Sequence, residues 1–256
     1  MSPDIAEVAG RLRVARRPLV FTGAGVSAES GIPTFRDQLT GLWAKFDPAQ
    51  LATAAAFRKD PALVWSWYQW RRAVVAQARP NPAHRAIAAM AGHLPDLTII
   101  TQNVDDLHER AGSSNVFHLH GSLEALRCFA CARPFTQAPP GGSEPGSYEL
   151  PPRCPHCNGR IRPGVVWFGE ALPAGVLQHA MTTAKRADLV LVVGTSGVVY
   201  PAAEIPEIAR RHGATVVHVN LEPVGGPSDY CLQGRASETL SQLVSQAFRP
   251  LDTSGL

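Results

Sequence analysis

The sequence has 256 residues, of which 45% are hydrophobic and 18% are charged, and its formal net charge is +3. This composition is typical of a globular domain and excludes a disordered chain or a coiled coil. The small positive charge gives no reason to expect nucleic acid as a partner. Because no apolar stretch approaches the roughly 20 residues that cross a bilayer, and no signal-peptide core is present, we expect a cytoplasmic protein without a membrane partner.

Short apolar runs alternate along the chain with segments of helical periodicity. Strands are predicted at 19–22, 97–101, 116–119, 189–193 and 215–219. Helices are predicted at 61–79, 82–92, 172–186 and 201–212, and at the N-terminus, where Ile5, Val8, Ala9 and Leu12 share one face. This alternation is typical of the α/β class, with a Rossmann-like parallel sheet covered by helices on both faces.

A glycine-rich turn follows the first predicted strand. Residues 23–31 have the spacing GxGxxA, in which glycines allow close approach of the backbone to a pyrophosphate at a helix N-terminus. A purely structural turn is the alternative. A dehydrogenase of this fold should show an acid at the end of its second strand, but Asp47, at about the expected distance, lies in no predicted strand. A hydride-transferring enzyme is therefore disfavoured.

The predicted helix 61–79 carries a possible ligand-binding pair. We expect the helix to pack through an apolar stripe made of Leu63, Trp67, Trp70 and Val74. Tyr68 and Arg71 are three residues apart, so they share a face and can converge on one ligand. A guanidinium matches a carboxylate in two-point contact. The alternative is an arginine paired with a neighbouring acid and a tyrosine packed in the core.

Polar residues follow the predicted strand 97–101. Gln102, Asn103 and Asp105 stand at its carboxyl end, where ligands dock in α/β sheets. Capping of the next helix by Asn103 or Asp105 is the alternative.

Two histidines alternate with apolar residues in the segment FHLHGS. On a strand, His118 and His120 would point to the same face. The Gly-Ser that follows indicates that the strand ends at His120, which places this imidazole at the cleft. Imidazole titrates near neutral pH and is the usual general base, so His120 is the candidate catalyst.

Four of the five cysteines form two CxxC pairs, Cys128 with Cys131 and Cys154 with Cys157. In a cytosolic chain such pairs indicate a metal site in preference to disulfides. Four thiolates fill the tetrahedral shell of Zn²⁺, so the metal should be structural. Residues 137–152, rich in Pro, Gly and Ser, are predicted to form a loop. Cys231 is predicted to be a buried thiol, with a redox-sensitive thiol as the alternative.

Taken together, the motifs resemble the sirtuin family of NAD-dependent protein deacylases over nearly the full length of the chain. The matching segments are GAGVSAESGIPTFRD, TQNVDDLHERAG, HLHGS, the two CxxC pairs, RPGVVWFGE, GTSGVVYPAA and VNLEP, in family order and at family-like spacing. The resemblance implies one catalytic domain over residues 1–256. A Rossmann-like lobe would comprise about residues 1–31, 80–123 and 164–256. A smaller lobe would comprise a helical part, residues 32–79, and a zinc module, residues 124–163.

The resemblance also implies roles for individual residues. NAD would bind to Gly23, Ala24, Gly25, Phe35, Arg36, Gln102, Asn103, Asp105, Gly194, Thr195, Ser196, Asn220, Leu221, Glu222 and Ala236. His120 would be the catalytic base, with Asn103 beside it at the reacting centre. A substrate peptide would pair by β-augmentation with Val166, Trp167, Phe168 and Gly169. One structural Zn²⁺ would be bound by Cys128, Cys131, Cys154 and Cys157.

The reaction implied by the resemblance uses NAD as a co-substrate. The amide oxygen of acyl-lysine attacks the anomeric carbon of the nicotinamide ribose, and nicotinamide leaves. His120 then activates a ribose hydroxyl, and water completes the release of free lysine and O-acyl-ADP-ribose. A protein ADP-ribosyltransferase that uses NAD, or a zinc-ribbon adaptor without activity, is the alternative.

Tyr68 and Arg71 refine the expected substrate. A Tyr-x-x-Arg at this place resembles the motif of the bacterial sirtuin subclass that removes succinyl, malonyl or glutaryl groups from lysine. We therefore expect a monomer that acts on acylated lysine side chains of proteins, with both deacetylase and desuccinylase activity.

Overall fold

A computed structural model describes residues 5–34, 47–137 and 148–248. The strands in these ranges are β1 (Pro18–Thr22), β2 (Thr98–Thr101), β3 (Val116–His118), β4 (Gly121–Cys128), β5 (Ile161–Val165), β6 (Leu189–Val193), β7 (Thr215–Asn220) and β8 (Tyr230–Gln233). The helices are α1 (Ile5–Val14), α2 (Gly25–Ala28), α3 (Pro48–Leu51), α4 (Ala54–Lys59), α5 (Pro61–Gln77), α6 (Pro82–Met90), α7 (Leu107–Arg110), α8 (Ala174–Arg186), α9 (Glu204–Arg211) and α10 (Ala236–Ala247).

Six of the described strands form a parallel sheet in the order β3-β2-β1-β6-β7-β8. The chain leaves β1 towards β2 on one side and returns to β6 on the other, so the strand order reverses between β1 and β6. Ligands of open parallel sheets bind beside such a reversal, at the carboxyl ends of the strands. The predicted α/β class with a Rossmann-like sheet is confirmed.

Helices cover both faces of the sheet. On one face α1, α6 and α10 contribute Leu12, Ile87 and Leu240 to a core built on Val20. On the other face α8 and α9 pack against a second core that contains Phe21. Consecutive residues of β1 thus enter different cores, which explains why every residue of this central strand is buried.

A second region is formed by α5 and the antiparallel pair β4–β5. The helix begins at Pro61, where the side chain of Asp60 accepts a hydrogen bond of 2.9 Å from the backbone of Leu63. Two clusters bury different sides of the helix. Trp67 and Tyr68 join one cluster, and Trp65 joins another that contains Cys128 and Cys154.

The predicted apolar stripe of this helix is only partly correct. Trp67 is buried, whereas Leu63, Trp70 and Val74 are half-buried and Trp65 and Tyr68 are buried instead. The reason is that α5 lies between two clusters, so no single stripe forms its contact surface.

Several other features differ from the sequence predictions. The strand predicted to end at His120 ends at His118, and residues 119 and 120 form a turn. Strands β4, β5 and β8 and helix α10 were not predicted. Cys231 lies on the edge strand β8 and is half-buried, so the prediction of a buried thiol is wrong.

Part of the predicted loop 137–152, residues 138–147, lies outside the described residues. The boundaries of the two predicted lobes stay a prediction. Within the described ranges, no helix is both long and apolar enough to span a lipid bilayer.

Candidate functional site

A cavity of about 180 Å³ opens at the carboxyl edge of the sheet. One side, which we call the sheet wall, is formed by Ala24, Ser27, Gln102, Asn103, Asp105 and His120. The opposite side, the helix wall, is formed by Tyr68 and Arg71 of α5 and by Val166, Trp167, Phe168 and Gly169. The cavity therefore brings together residues predicted to bind the dinucleotide and residues predicted to bind the substrate.

The glycines of the turn after β1 pack against the turn after β6. The backbone N–H of Gly25 donates to the carbonyl of Gly194 at 2.8 Å. A Cβ atom on Gly25 would lie 2.7 Å from that oxygen, and one on Gly23 would lie 2.8 Å from Cβ of Thr195. The glycines are thus required by contact between two protein turns, in addition to the predicted approach of a pyrophosphate.

A row of hydrogen bonds runs along the sheet edge from β2 to β7. The amide Nε2 of Gln102 donates to Thr195 Oγ1 at 2.9 Å, and Nδ2 of Asn220 donates to the carbonyl of Thr195 at 3.1 Å. Ser196, Leu221 and Glu222 are exposed beyond these contacts, and Ala236 is the first residue of α10. The predicted nucleotide-binding residues therefore share one edge without sharing one cavity.

Ser27 connects the glycine turn to the residues after β2. Its hydroxyl donates to Asp105 Oδ2 at 3.1 Å and accepts from Nδ2 of Asn103 at 3.1 Å. Burial raises the pKa of Asp105, and the hydrogen bonds from Leu107 and Ser27 oppose that rise. Asp105 also accepts from the backbone of Leu107 at 3.2 Å, but the N-cap residue of α7 is Asp106, so neither Asn103 nor Asp105 occupies the capping position. Sequence reasoning missed Ser27, although a hydroxyl in the first turn after GxG is a usable signal.

Two buried histidines lie beneath this wall. Nε2 of His108 lies 3.0 Å from the hydroxyl of Thr22, and Nε2 of His84 lies 3.5 Å from that of Ser27. The two imidazole rings are 5.0 Å apart. Burial is the main cause that lowers the pKa of His84 to about 4 and that of His108 to about 3. Both rings are therefore neutral at pH 7.

The tautomer of His120 is set by one backbone contact. Its Nδ1 lies 2.8 Å from the carbonyl oxygen of Gln102, which can only accept a hydrogen bond. Nδ1 therefore carries the proton, and Nε2 keeps a lone pair. Burial lowers the pKa of His120, and the bond to Gln102 opposes that fall. The ring is thus suited to accept a proton at Nε2.

The helix wall presents a hydroxyl and a positive charge on an aromatic frame. Nε1 of Trp167 donates to the hydroxyl oxygen of Tyr68 at 3.0 Å. The guanidinium carbon of Arg71 lies 5.1 Å from the ring centre of Trp67 and 5.7 Å from that of Tyr68. Burial lowers the pKa of Arg71, while Tyr68 and Asp105 oppose the change.

The segment 166–169 is anchored through its backbone. The N–H of Val166 donates to the carbonyl of His120 at 2.8 Å, and the N–H of Phe168 donates to the carbonyl of Ala52 at 2.9 Å. The ring of Phe168 is half exposed at the mouth of the cavity. Pairing of this segment with a substrate peptide stays a prediction.

An ion pair that sequence reasoning missed supports the same segment. Glu170 accepts a hydrogen bond of 2.9 Å from the backbone of Trp167 and pairs with the buried Arg162. The guanidinium of Arg162 also lies 3.2 Å from the ring centre of Trp167. A charged residue inside the otherwise apolar run of β5 is the signal that could have indicated it.

The four paired cysteines form a cluster that fits a tetrahedral metal site. Their sulfur atoms all lie within 4.8 Å of one another, with Cys128 Sγ 3.5 Å from Cys157 Sγ and Cys131 Sγ 3.8 Å from Cys154 Sγ. Zn–S bonds of about 2.3 Å require sulfur atoms roughly 3.8 Å apart. Burial raises the pKa of Cys128, but hydrogen bonds from backbone N–H groups outweigh this effect and lower the pKa to about 7. The cluster therefore fits one structural Zn²⁺ with no open position.

The remaining predicted residues, Phe35 and Arg36, lie outside the described residues. Their assignment to the loop that covers the cofactor stays a prediction.

Comparison with known proteins agrees with this geometry. Residues 23–201 match the Sir2 family. The NAD-dependent protein deacylase 1 of Pseudomonas aeruginosa is 61% identical over 238 residues, which are 91% of this chain and 95% of that protein. A crystal structure of a Sir2 homologue–NAD complex has a TM-score of 0.85 and 44% identity, and the match covers 94% of this chain and 93% of that chain.

A further solved structure, Sir2Af2 bound to a myristoylated histone peptide, has a TM-score of 0.72 and 34% identity, and the match covers 95% of each chain. NAD as co-substrate and one structural zinc are consistent with the NAD complex and with the cysteine cluster. The family match covers more than half of the chain, and the matches to relatives and structures extend over nearly all of it. The chain therefore belongs to the Sir2 family, the sirtuins.

Proposed function

We propose that this sirtuin, an NAD-dependent protein deacylase, removes succinyl, malonyl and acetyl groups from lysine side chains and uses His120 as its general base. The deacylase activity is supported by the relative from Pseudomonas aeruginosa that carries that name. The peptide complex of Sir2Af2 supports an acylated protein substrate. A cytoplasmic monomer without membrane or nucleic-acid partners stays a prediction.

The proposed role of His120 follows from its tautomer. Bound NAD supplies the ribose that takes up the acyl group as nicotinamide is released. Because Nδ1 is committed to Gln102, only Nε2 of His120 can accept the proton of a ribose hydroxyl in the cavity. Asn103 and Asp105 line the cavity beside His120, where we place the nicotinamide and its ribose.

The proposed acyl specificity depends on one observation: Tyr68 and Arg71 line the same cavity as His120. A carboxylate at the end of the acyl chain would offset the desolvation of the Arg71 guanidinium and accept two hydrogen bonds from it. The Tyr68 oxygen already accepts from Trp167, so its own proton is left for another acceptor. An acyl carboxylate meets both requirements.

An acetyl group would also fit. Apolar side chains of Val104, Val165 and Ile32 line the same cavity, so a short uncharged chain finds apolar contacts there. We therefore expect activity on both acyl classes.

The substitution Arg71→Met tests the acyl assignment. Loss of a buried charged hydrogen bond costs about 1.5–3 kcal/mol, so kcat/KM for a succinyl-lysine peptide should fall roughly 10- to 150-fold. For the matching acetyl-lysine peptide the change should be much smaller. Nicotinamide release would be measured for both peptides.

The neighbouring Arg72→Met is the matched control. Arg72 pairs with Glu124 at 3.5 Å, outside the residues that line the cavity, so its loss should change both activities equally. Equal losses on the two peptides in Arg71→Met would contradict the assignment. Mass spectrometry of the products separates deacylation from ADP-ribosyl transfer, because the latter would leave ADP-ribose covalently on the protein.

A further inference from the structure

The imidazole of His118 lies between two hydrogen-bond acceptors. Nδ1 is 2.8 Å from the carbonyl oxygen of Asn103, and Nε2 is 2.8 Å from Oε1 of Glu109. A carbonyl and an ionised carboxylate have no proton to donate. A neutral imidazole carries only one N–H, so it can satisfy one of these partners but not both. Both contacts can be hydrogen bonds at the same time only when the ring is doubly protonated.

The surroundings of His118 favour that charged form. Burial lowers the pKa of His118, but the bonds to Glu109 and Asn103 and the nearby charge of Asp105 raise it above its ordinary value. From α7 the ring also faces His108, which is neutral at pH 7. From α8, the ring centre of His179 lies 4.0 Å from that of Phe117, whose side chain points to the opposite face of β3. The charges that act on this ring are therefore mainly the negative ones of Glu109 and Asp105, which stabilise its protonated form.

His118 contacts the backbone of the sheet wall directly beside the contact made by His120. His120 bonds to the carbonyl of Gln102 and His118 to that of Asn103, which is the next residue. The side chain of Asn103 lines the cavity and bonds to Ser27. A shift of the Asn103 backbone would therefore change the shape of the cavity.

We propose that His118 is a positioning residue: as an imidazolium it ties the carbonyl of Asn103 to the carboxylate of Glu109 and so fixes the sheet wall. Its effect on NAD rests on the proposed function, which places nicotinamide at this wall. His118 does not line the cavity, so it would act on NAD only through Asn103.

Deprotonation should break one particular bond. A hydrogen bond to a carboxylate is stronger than one to a neutral carbonyl, so the remaining proton stays on Nε2, facing Glu109. The lone pair of Nδ1 then faces the carbonyl of Asn103, and this contact becomes repulsive. Binding of NAD should therefore weaken as the pH rises through the pKa of His118, which lies above 6.5.

The substitution Glu109→Gln separates the charge of His118 from its position. The amide N–H of glutamine can donate to Nε2, so a neutral His118 would keep its Nδ1 proton on Asn103. In the wild-type protein, KM for NAD should rise roughly tenfold between pH 6 and pH 9, the effect of one lost bond. In Glu109→Gln it should stay flat. Glu124→Gln, which removes an exposed carboxylate elsewhere, should behave as the wild type.

A measurement without NAD tests the protonation itself. NMR titration of the histidine ring nitrogens, with His118 assigned by comparison with His118→Gln, should show a doubly protonated ring at pH 6.5 and a midpoint above that pH. Glu109→Gln should lower this midpoint. A singly protonated ring in the wild-type protein at pH 6.5 would overturn the proposal. So would a midpoint that moves in Glu109→Gln while the pH dependence of KM stays that of the wild type. Because the titration uses no NAD, its result is independent of whether the proposed function is correct.

Discussion

The two walls of the cavity are built by different means. Along the sheet wall and the row of polar groups beyond it, residues contact one another through main-chain atoms, as in Gly25–Gly194, and through short side chains, as in Ser27–Asp105. The helix wall depends on the side chains of Tyr68 and Arg71, held by the aromatic frame of Trp67 and Trp167. Because the residues of the sheet wall contact one another, a substitution there should disturb several contacts at once. Arg71 would act through the end of one side chain, so a single substitution on the helix wall should change the acyl specificity.

Removal of zinc should have the largest effect, and it should destabilise the helix wall more than the sheet wall. Trp65 of α5 packs against Cys128 and Cys154, so loss of the metal should loosen the helix that carries Tyr68 and Arg71. Structural zinc sites contribute on the order of 10 kcal/mol. A chelator should lower the Tm, and hydrogen exchange should rise in α5 before it rises in β1.

Cys231→Ser provides the control for zinc removal, because Cys231 is not a member of the cluster. It should bind the same amount of zinc as the wild type and respond to the chelator in the same way. Equal exchange rates in α5 and β1 after chelation would show that the two regions do not differ in this respect.

The second expected effect concerns the chemistry of the sheet wall. His120→Asn removes the proton acceptor, and general-base catalysis contributes about 10²- to 10⁴-fold. Deacylation should fall by that factor, while zinc content and the thermal shift produced by NAD remain. His93→Asn, which changes a histidine stacked on Phe248 at 4.3 Å, should leave the rate unchanged. If His120→Asn retained full turnover, another group would have to be the base.

A third effect concerns stability beneath the sheet wall. The folded-state pKa values of His84 and His108, about 4 and about 3, lie below the unfolded value of about 6.5. Below pH 6.5 the unfolded chain takes up protons that the folded chain does not, so stability is fully present above that pH. It is lost as the pH falls towards 4. His84 alone should account for roughly 3 kcal/mol of the unfolding free energy that is lost.

Urea unfolding at pH 7 and pH 5 measures this loss. His108→Gln removes one of the two titrating groups, so the difference in unfolding free energy between the two pH values should shrink by about half. An unchanged difference in this variant would show that other groups cause the acid sensitivity.

The smallest expected effect tests the anchoring of segment 166–169. Glu170→Gln removes the charge that pairs with Arg162 but keeps an acceptor for the backbone of Trp167. A loss of about 1–2 kcal/mol in peptide binding corresponds to a rise in KM of roughly tenfold, with little change in kcat. An acylated lysine without flanking residues cannot pair with the segment, so its KM should not change. A parallel rise for both substrates would point to a general loss of stability.

The central strands β1, β2, β6 and β7 were predictable because they are buried on both faces and have continuous apolar sequences, whereas the half-buried edge strand β8 was missed. The ends of those strands then located Gln102, Asn103 and Asp105 at one edge. Strands β4 and β5 were missed because Glu124, Arg127, Pro163 and Gly164 interrupt their patterns.

The contacts that complete the site were not predictable from local sequence. The bond between Ser27 and Asp105 joins residues 78 positions apart, and that between Trp167 and Tyr68 spans 99. Such pairs follow from the topology and not from a motif. The same holds for His118 and His120, which were predicted on one strand and are separated by the end of β3.

The hydrogen bond between His120 and Gln102 also bears on repeated turnover. If His120 is the base that we propose, its ring carries two protons once Nε2 has gained one, and it must lose one of them before the next turnover. The proton on Nδ1 is retained by the carbonyl of Gln102, so Nε2 must be the exit as well as the entrance. Because burial lowers the pKa of His120, the charged ring gives up this proton more easily than a free imidazole would. Under this proposal, the same nitrogen that takes up the proton also returns the ring to its starting state.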